Sequence, residues 1–273
     1  MIVRTLSAFA DEISPDLGMQ LTECARHGLD AIELRSAFGK NVMDLTDHEV
    51  GEIMVACRNE GLRVQGLGSP IGKVRAEESS PDAEDARLAR ALEIAELLAV
   101  DRVRIFLPEF PEGTGLETVA PWVEPLVRRA GDAGVILLHE NDARYWGAFP
   151  ANAQALFAAY GGEWFRAAFD FANTVLIGYR PVEDWLEWIV PHLDTLHIKD
   201  ARVDEDGKGA VVPAGQGDGQ MSEAFRLLEG WEGNLAIEPH LTHAGHAGGF
   251  TGVELFAQAV RALRELQEEG EAL

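Results

Sequence analysis

Basic residues and cysteines are scarce in this chain, and long apolar runs are missing. Lysine and arginine total 23 against 46 aspartates and glutamates, a net charge of −23 over 273 residues. So acidic a chain disfavours nucleic acid and anionic membranes as partners, because both select basic faces. No apolar stretch approaches the roughly 18 residues of a membrane-spanning helix. The start, Met1-Ile2-Val3-Arg4-Thr5-Leu6, enters a strand pattern directly, without the basic region, apolar stretch and small-residue cleavage site of a secretory signal. Cys24 and Cys57 are the only cysteines, each inside an apolar helical pattern. They are expected to be buried free thiols in a reducing cytoplasm.

What is present is a regular alternation. Strand patterns recur eight times, at 3–9, 31–34, 63–67, 102–107, 135–140, 165–170, 195–198 and 235–238. Several are apolar on both faces, as in a parallel sheet covered by helices. Amphipathic stretches lie between them. The clearest is 81–98, with Ser80 as cap, Pro81 at the first position and an acidic first turn. Glycines at 28, 61 and 134 precede strands and supply the left-handed turn that ends a helix. Eight β/α units without a composition break predict one (β/α)8 TIM barrel, a single catalytic domain over 1–273, close to the ~250 residues such a barrel needs. The alternative is a doubly wound open sheet, but Gly66-Leu67-Gly68 is followed by Ile71 where the dinucleotide fingerprint needs its third glycine. The long segment 200–220 is read as a hairpin turning at Gly207. Asp204-Glu205-Asp206-Gly207 fails as a calcium loop, because Lys208 and Gly215 stand where ligands are required.

Four consecutive strand patterns end in a group that can bind a metal: Leu137-Leu138-His139-Glu140, Ala168-Phe169-Asp170, Leu196-His197-Ile198-Lys199 and Ala236-Ile237-Glu238. Catalytic groups of a barrel sit at the carboxyl ends of its strands. Glu140, Asp170, His197 and Glu238 are therefore expected to converge on one divalent ion. Three oxygens and an imidazole suit Mn²⁺, Mg²⁺, Co²⁺ or Zn²⁺. The plainer reading is four independent caps or salt bridges. Around this centre, Glu33 and Arg35 end strand two and are read as substrate contacts, or else as a structural pair. Lys73, on the loop Gly68-Ser69-Pro70-Ile71-Gly72, is a candidate for a polyol or anionic substrate, or a solvated lysine. Lys199 lies two residues past His197 and shares its side of the strand, and Arg202 is a weaker candidate for the same pocket. His240, His243 and His246 read as a loop over the pocket, and Trp146 as the one tryptophan placed to line it.

These motifs resemble the xylose-isomerase-like TIM-barrel superfamily, in particular its sugar phosphate isomerase/epimerase group. The matching segments are Ile32-Glu33-Leu34-Arg35, His139-Glu140-Asn141, Phe169-Asp170 with Asn173, His197-Ile198-Lys199-Asp200, Pro213-Ala214-Gly215-Gln216-Gly217 and Ile237-Glu238. The resemblance implies one divalent metal on a small carbohydrate enzyme, with Glu140 and Glu238 moving a proton beside a carbonyl through an enediolate. Asn173 stands where ketose epimerases carry a substrate-holding histidine, and Asp142 where many relatives have a histidine. Isomerisation or epimerisation of a small sugar or polyol ketone or aldehyde is the first expectation. A lyase or dehydratase acting on a keto-inositol, keto-sugar or 3-keto-glycoside is the alternative on the same site. An apurinic-site endonuclease is disfavoured by the charge. A non-catalytic sensor would keep the pocket yet tolerate loss of either glutamate. Relatives often form homo-oligomers.

Overall fold

The computed structural model describes residues 4–241 and 251–271; His243 and His246 lie outside them. Eight strands form the barrel: β1 Thr5–Ala8, β2 Ala31–Leu34, β3 Arg63–Leu67, β4 Arg102–Ile105, β5 Ile136–Glu140, β6 Phe165–Asp170, β7 Leu193–Ile198 and β8 Asn234–Ile237. Each pairs in parallel with its sequence neighbours, and β8 closes on β1 through Thr5↔Asn234 to Ala8↔Ile237. Closure removes the open-sheet alternative and leaves no unpaired edge. The predicted fourth strand runs two residues too far, because Phe106 turns away to donate its N–H to Ile71 O at 2.8 Å.

Helices cover the outside. Ser80 accepts from Ala83 N to start Pro81–Leu98, and Gly134, at φ 68°, ends Leu116–Ala133. Both faces of the strands are thereby buried, and β2 and β8 are buried throughout. The apolar core lies mainly between strands and helices, where His139 packs against Phe157 and Phe165 with ring centroids 6.1 Å away. Inside the barrel, polar side chains share the filling with Phe9, Leu138 and Ala168. Ser7 Oγ and Asn234 Nδ2 each donate to Glu33 Oε1 at 2.8 Å, and Arg102 meets Asp194 at 3.0 Å. The 200–220 segment contains the expected hairpin, Asp200–Val203 against Gly209–Val212, with Gly207 at φ 79° in its turn.

Candidate metal centre

Strand alternation decides which residues face inward. His139 faces the helices, so Glu140 faces the axis; Phe169 packs outward on Trp185, so Asp170 faces in. Register aligns them, since Asp170 pairs with His197 and His197 with Ala236, two residues before Glu238. The result is a buried cluster in which one ligating atom from each of Glu140, Asp170, His197 and Glu238 lies within 4.8 Å of the others. His197 Nδ1 is 3.4 Å from both Glu140 Oε1 and Glu238 Oε2.

Local interactions hold each of the four side chains. Asp170 caps the helix Phe171–Leu176, its Oδ1 accepting from Asn173 N at 2.8 Å, which turns Oδ2 to the cluster. Asn141 ties the ends of β5 and β6 together, donating to Asp170 O at 2.9 Å and accepting from Asp170 N at 2.7 Å. His197 meets the Phe9 ring edge-on at 5.1 Å. Each carboxylate also has its own cation. Arg35 Nη1 donates to Glu238 Oε1 at 2.7 Å, Arg104 Nη1 lies 3.1 Å from Glu140 Oε2, and Lys199 Nζ lies 2.7 Å from Asp170 Oδ2.

The electrostatics follow. Burial opposes charge on Glu140, but His197 and Arg104 outweigh it and hold this carboxyl well below the usual range. Glu238 is lowered in the same way by Lys199, His240 and His197 against its burial. Burial also works against an imidazolium at His197, yet Glu140 and Glu238 push it up to about 10. The cluster therefore balances itself with a proton that a metal would replace, since ligating imidazole is neutral.

A metal fits these residues on one observation. Glu140 Oε2, Asp170 Oδ2, His197 Nδ1 and Glu238 Oε2 are all fully buried and lack a well-aligned hydrogen bond. Buried polar atoms are rarely left so, and here one comes from each member of the cluster.

The other sequence candidates divide. Asn173 and Lys199 lie at the cluster, Asn173 Nδ2 3.4 Å from Glu140 Oε1. Glu33 sits deeper, in the barrel interior. Arg35 is taken up by protein carboxylates, donating to Asp11 and Glu12 besides Glu238. Lys73 pairs with Asp142 at 2.9 Å and covers the Phe106 ring. Arg202 is exposed on the hairpin and bonds Gln216 O, away from the cluster. Trp146 is buried, its Nε1 donating to Thr114 O. His240 reaches the rim, 2.9 Å from Glu12. Missed from sequence were Arg104, Asp11 and Glu12. Arg104 had a visible signal: a charge inside the strand Arg102-Val103-Arg104-Ile105, which must be paired if buried. Asp200 explains the glycine turn beyond β7. Its carboxylate accepts from the N–H groups of Ala201, Gly215, Gly217 and Gly219 at 2.8–3.0 Å, and a side chain at Gly217 or Gly219 would collide with it.

Residues 21–266 match the family described as Xylose isomerase-like TIM barrel. The chain belongs to that family. Solved structures agree on the fold of this xylose isomerase-like barrel. D-allulose 3-epimerase from Methylomonas sp., in complex with D-allulose, superposes with a TM-score of 0.74 at 16% identity, over 98% of each chain. The probable 3-DHS dehydratase AsbF from Bacillus anthracis gives 0.74 at 11% identity, over 96% of this chain and 98% of its own. A Xylose isomerase-like TIM barrel protein from Mycobacterium smegmatis, in complex with magnesium, gives 0.73 at 18% identity, over 98% of each. No curated protein matches the chain.

Proposed function

We propose that the chain is a divalent-metal-dependent isomerase or epimerase of a small sugar or polyol ketone or aldehyde, working as one catalytic domain in the cytoplasm. The observation that carries this is the set of four buried donor atoms lacking aligned partners, one on each of Glu140, Asp170, His197 and Glu238. Mn²⁺, Mg²⁺, Co²⁺ or Zn²⁺ held there would act as a Lewis acid on a carbonyl. The protein's own part is proton transfer. Glu140 and Glu238 come from strands on different sides of His197, and each is kept ionised, ready to accept a carbon-bound proton. An enediolate would pass between them. General acid–base help of this kind contributes roughly 10²–10⁴-fold. Asn173 and Lys199 would meet substrate oxygens beside the cluster; Glu33, Arg35, Lys73 and Arg202 are less direct, being paired, deep or on the hairpin. The acidic chain supports a small-molecule partner over nucleic acid. No described helix is long and apolar enough to cross a membrane.

One observation favours the lyase reading as second. The two glutamates differ in how firmly they are held: Arg35 Nη1 donates to Glu238 Oε1 at 2.7 Å, whereas the hydrogen bond to Glu140 Oε1, from Asn173 Nδ2, is 3.4 Å long. One more weakly held carboxylate suits removal of a proton by a single base followed by loss of a β-substituent.

The test is solvent-deuterium incorporation. Mn²⁺-loaded protein is incubated in D₂O with ketoses, keto-inositols and 3-keto-glucosides, beside Glu140→Gln and Glu238→Gln. Exchange into starting material or an isomer, lost in both variants, supports the isomerase. A product lacking water or an aglycone supports the lyase. Exchange that survives in both variants refutes proton transfer by these glutamates.

A further inference from the structure

The geometry points to Arg35 as a positioning residue that keeps Glu238 a one-oxygen ligand, so that positions on the metal stay open for substrate. This rests on the metal reading of the cluster.

A carboxylate can offer a metal one oxygen or two. Which it does depends on what else its second oxygen touches. Glu238 turns Oε2 to the cluster, 3.4 Å from His197 Nδ1, and Oε1 the opposite way, 2.7 Å from Arg35 Nη1. The arginine that holds Oε1 is itself immobilised. Its Nε and Nη2 donate to the two oxygens of Asp11 at 2.8 and 2.9 Å, and Nη2 also donates to Glu12 Oε1 at 2.7 Å. A planar fork paired this way is set in direction as well as in charge. Asp11 is fixed in turn by Ser36 Oγ at 2.7 Å, and Glu12 by Thr251 Oγ1 at 2.6 Å. The Phe9 ring lies 4.9 Å from the guanidinium carbon and nearly perpendicular to the His197 ring at 5.1 Å, so one ring backs both the arginine and His197.

The consequence concerns coordination. Four protein atoms on a six-coordinate ion such as Mn²⁺ leave two positions, enough for a substrate carbonyl and an adjacent hydroxyl. If Glu238 swung to offer both oxygens, one of the two would close. Arg35 thus acts on substrate access without touching substrate.

Water-proton relaxation by protein-bound Mn²⁺ counts the waters on the ion and needs no substrate. Wild type is compared with Arg35→Met, and with Arg35→Met combined with Glu12→Gln, which removes one buried charge of each sign and guards against simple misfolding. Arg35→Lys tests rescue by charge without the fork. The expected result is tight Mn²⁺ binding throughout, with relaxivity per bound ion lowered about twofold in the methionine variants, as two waters become one around a six-coordinate ion, and partly restored in Arg35→Lys. Wild-type relaxivity in the folded double variant overturns the role of Arg35 while leaving the metal reading in place. Failure of wild type to bind Mn²⁺ at all overturns both.

Discussion

Arg104 offers the most direct measure of what holds the cluster together. Its guanidinium is 6% exposed and Glu140 3%, and their charges are 3.1 Å apart. At an effective dielectric of about 20, two unit charges at that distance attract by about 5 kcal/mol. The guanidinium also lies 5.0 Å from the Phe9 ring and 4.9 Å from Phe106, an environment a methionine can fill. Arg104→Met leaves the buried Glu140 carboxylate with only the His197 imidazolium, 3.4 Å away, and removing one partner of a buried pair costs roughly 3–5 kcal/mol. Arg104→Met with Glu140→Gln removes the charge from both and is expected to cost no more than about 1–2 kcal/mol, because replacing a buried pair is often near neutral. The assay is urea unfolding of wild type, both single variants and the double, all in chelator so that no metal takes over the pairing. Glu140→Gln, which strands the guanidinium, is expected to cost as much as Arg104→Met, so the cycle should show a coupling of at least about 4 kcal/mol. Additive losses, with coupling under about 1 kcal/mol, would show that the closeness of the two charges is not an energetic link and refute the reasoning.

Two further outcomes follow from burial. Cys24 and Cys57 are buried, their thiols pushed up to about 12 and about 11 by burial; a disulfide reagent at pH 8 should label neither in the folded protein and both in urea, and rapid native labelling would contradict the packing of their helices. Burial lowers His139 to about 4 from 6.5, so the unfolded chain binds the extra proton between those values. The stability due to the neutral imidazole is complete above about pH 6.5 and lost as pH falls towards 4. Urea midpoints of wild type and His139→Leu should therefore diverge in their pH dependence across that window, and parallel curves would sink the idea.

Much of this molecule is legible in its sequence. The eight strands and the inward-facing ends of β5 to β8 follow from local rules: apolar runs with period two, caps, and glycine at left-handed turns. Once the eight strands close into a barrel, the carboxyl ends of β5 to β8 meet at one end. Pairing partners were not legible. Its place at the end of β2 marks Arg35 as a substrate contact or a structural partner of Glu33; its fork instead meets Asp11 and Glu12, 24 and 23 residues away, and Glu238, 203 residues away. Lys73 likewise meets Asp142, and Arg104 is understood only beside Glu140. Charge partners across a barrel are chosen by three-dimensional proximity, which no spacing along the chain encodes. The sequence by itself determined the alternation of eight β/α units and which four side chains could share an ion; closure of the barrel was seen only in the tertiary structure. Only the tertiary structure decided which cation holds each carboxylate, because an ion pair depends on a few ångströms of separation between strands that the chain reaches by long detours.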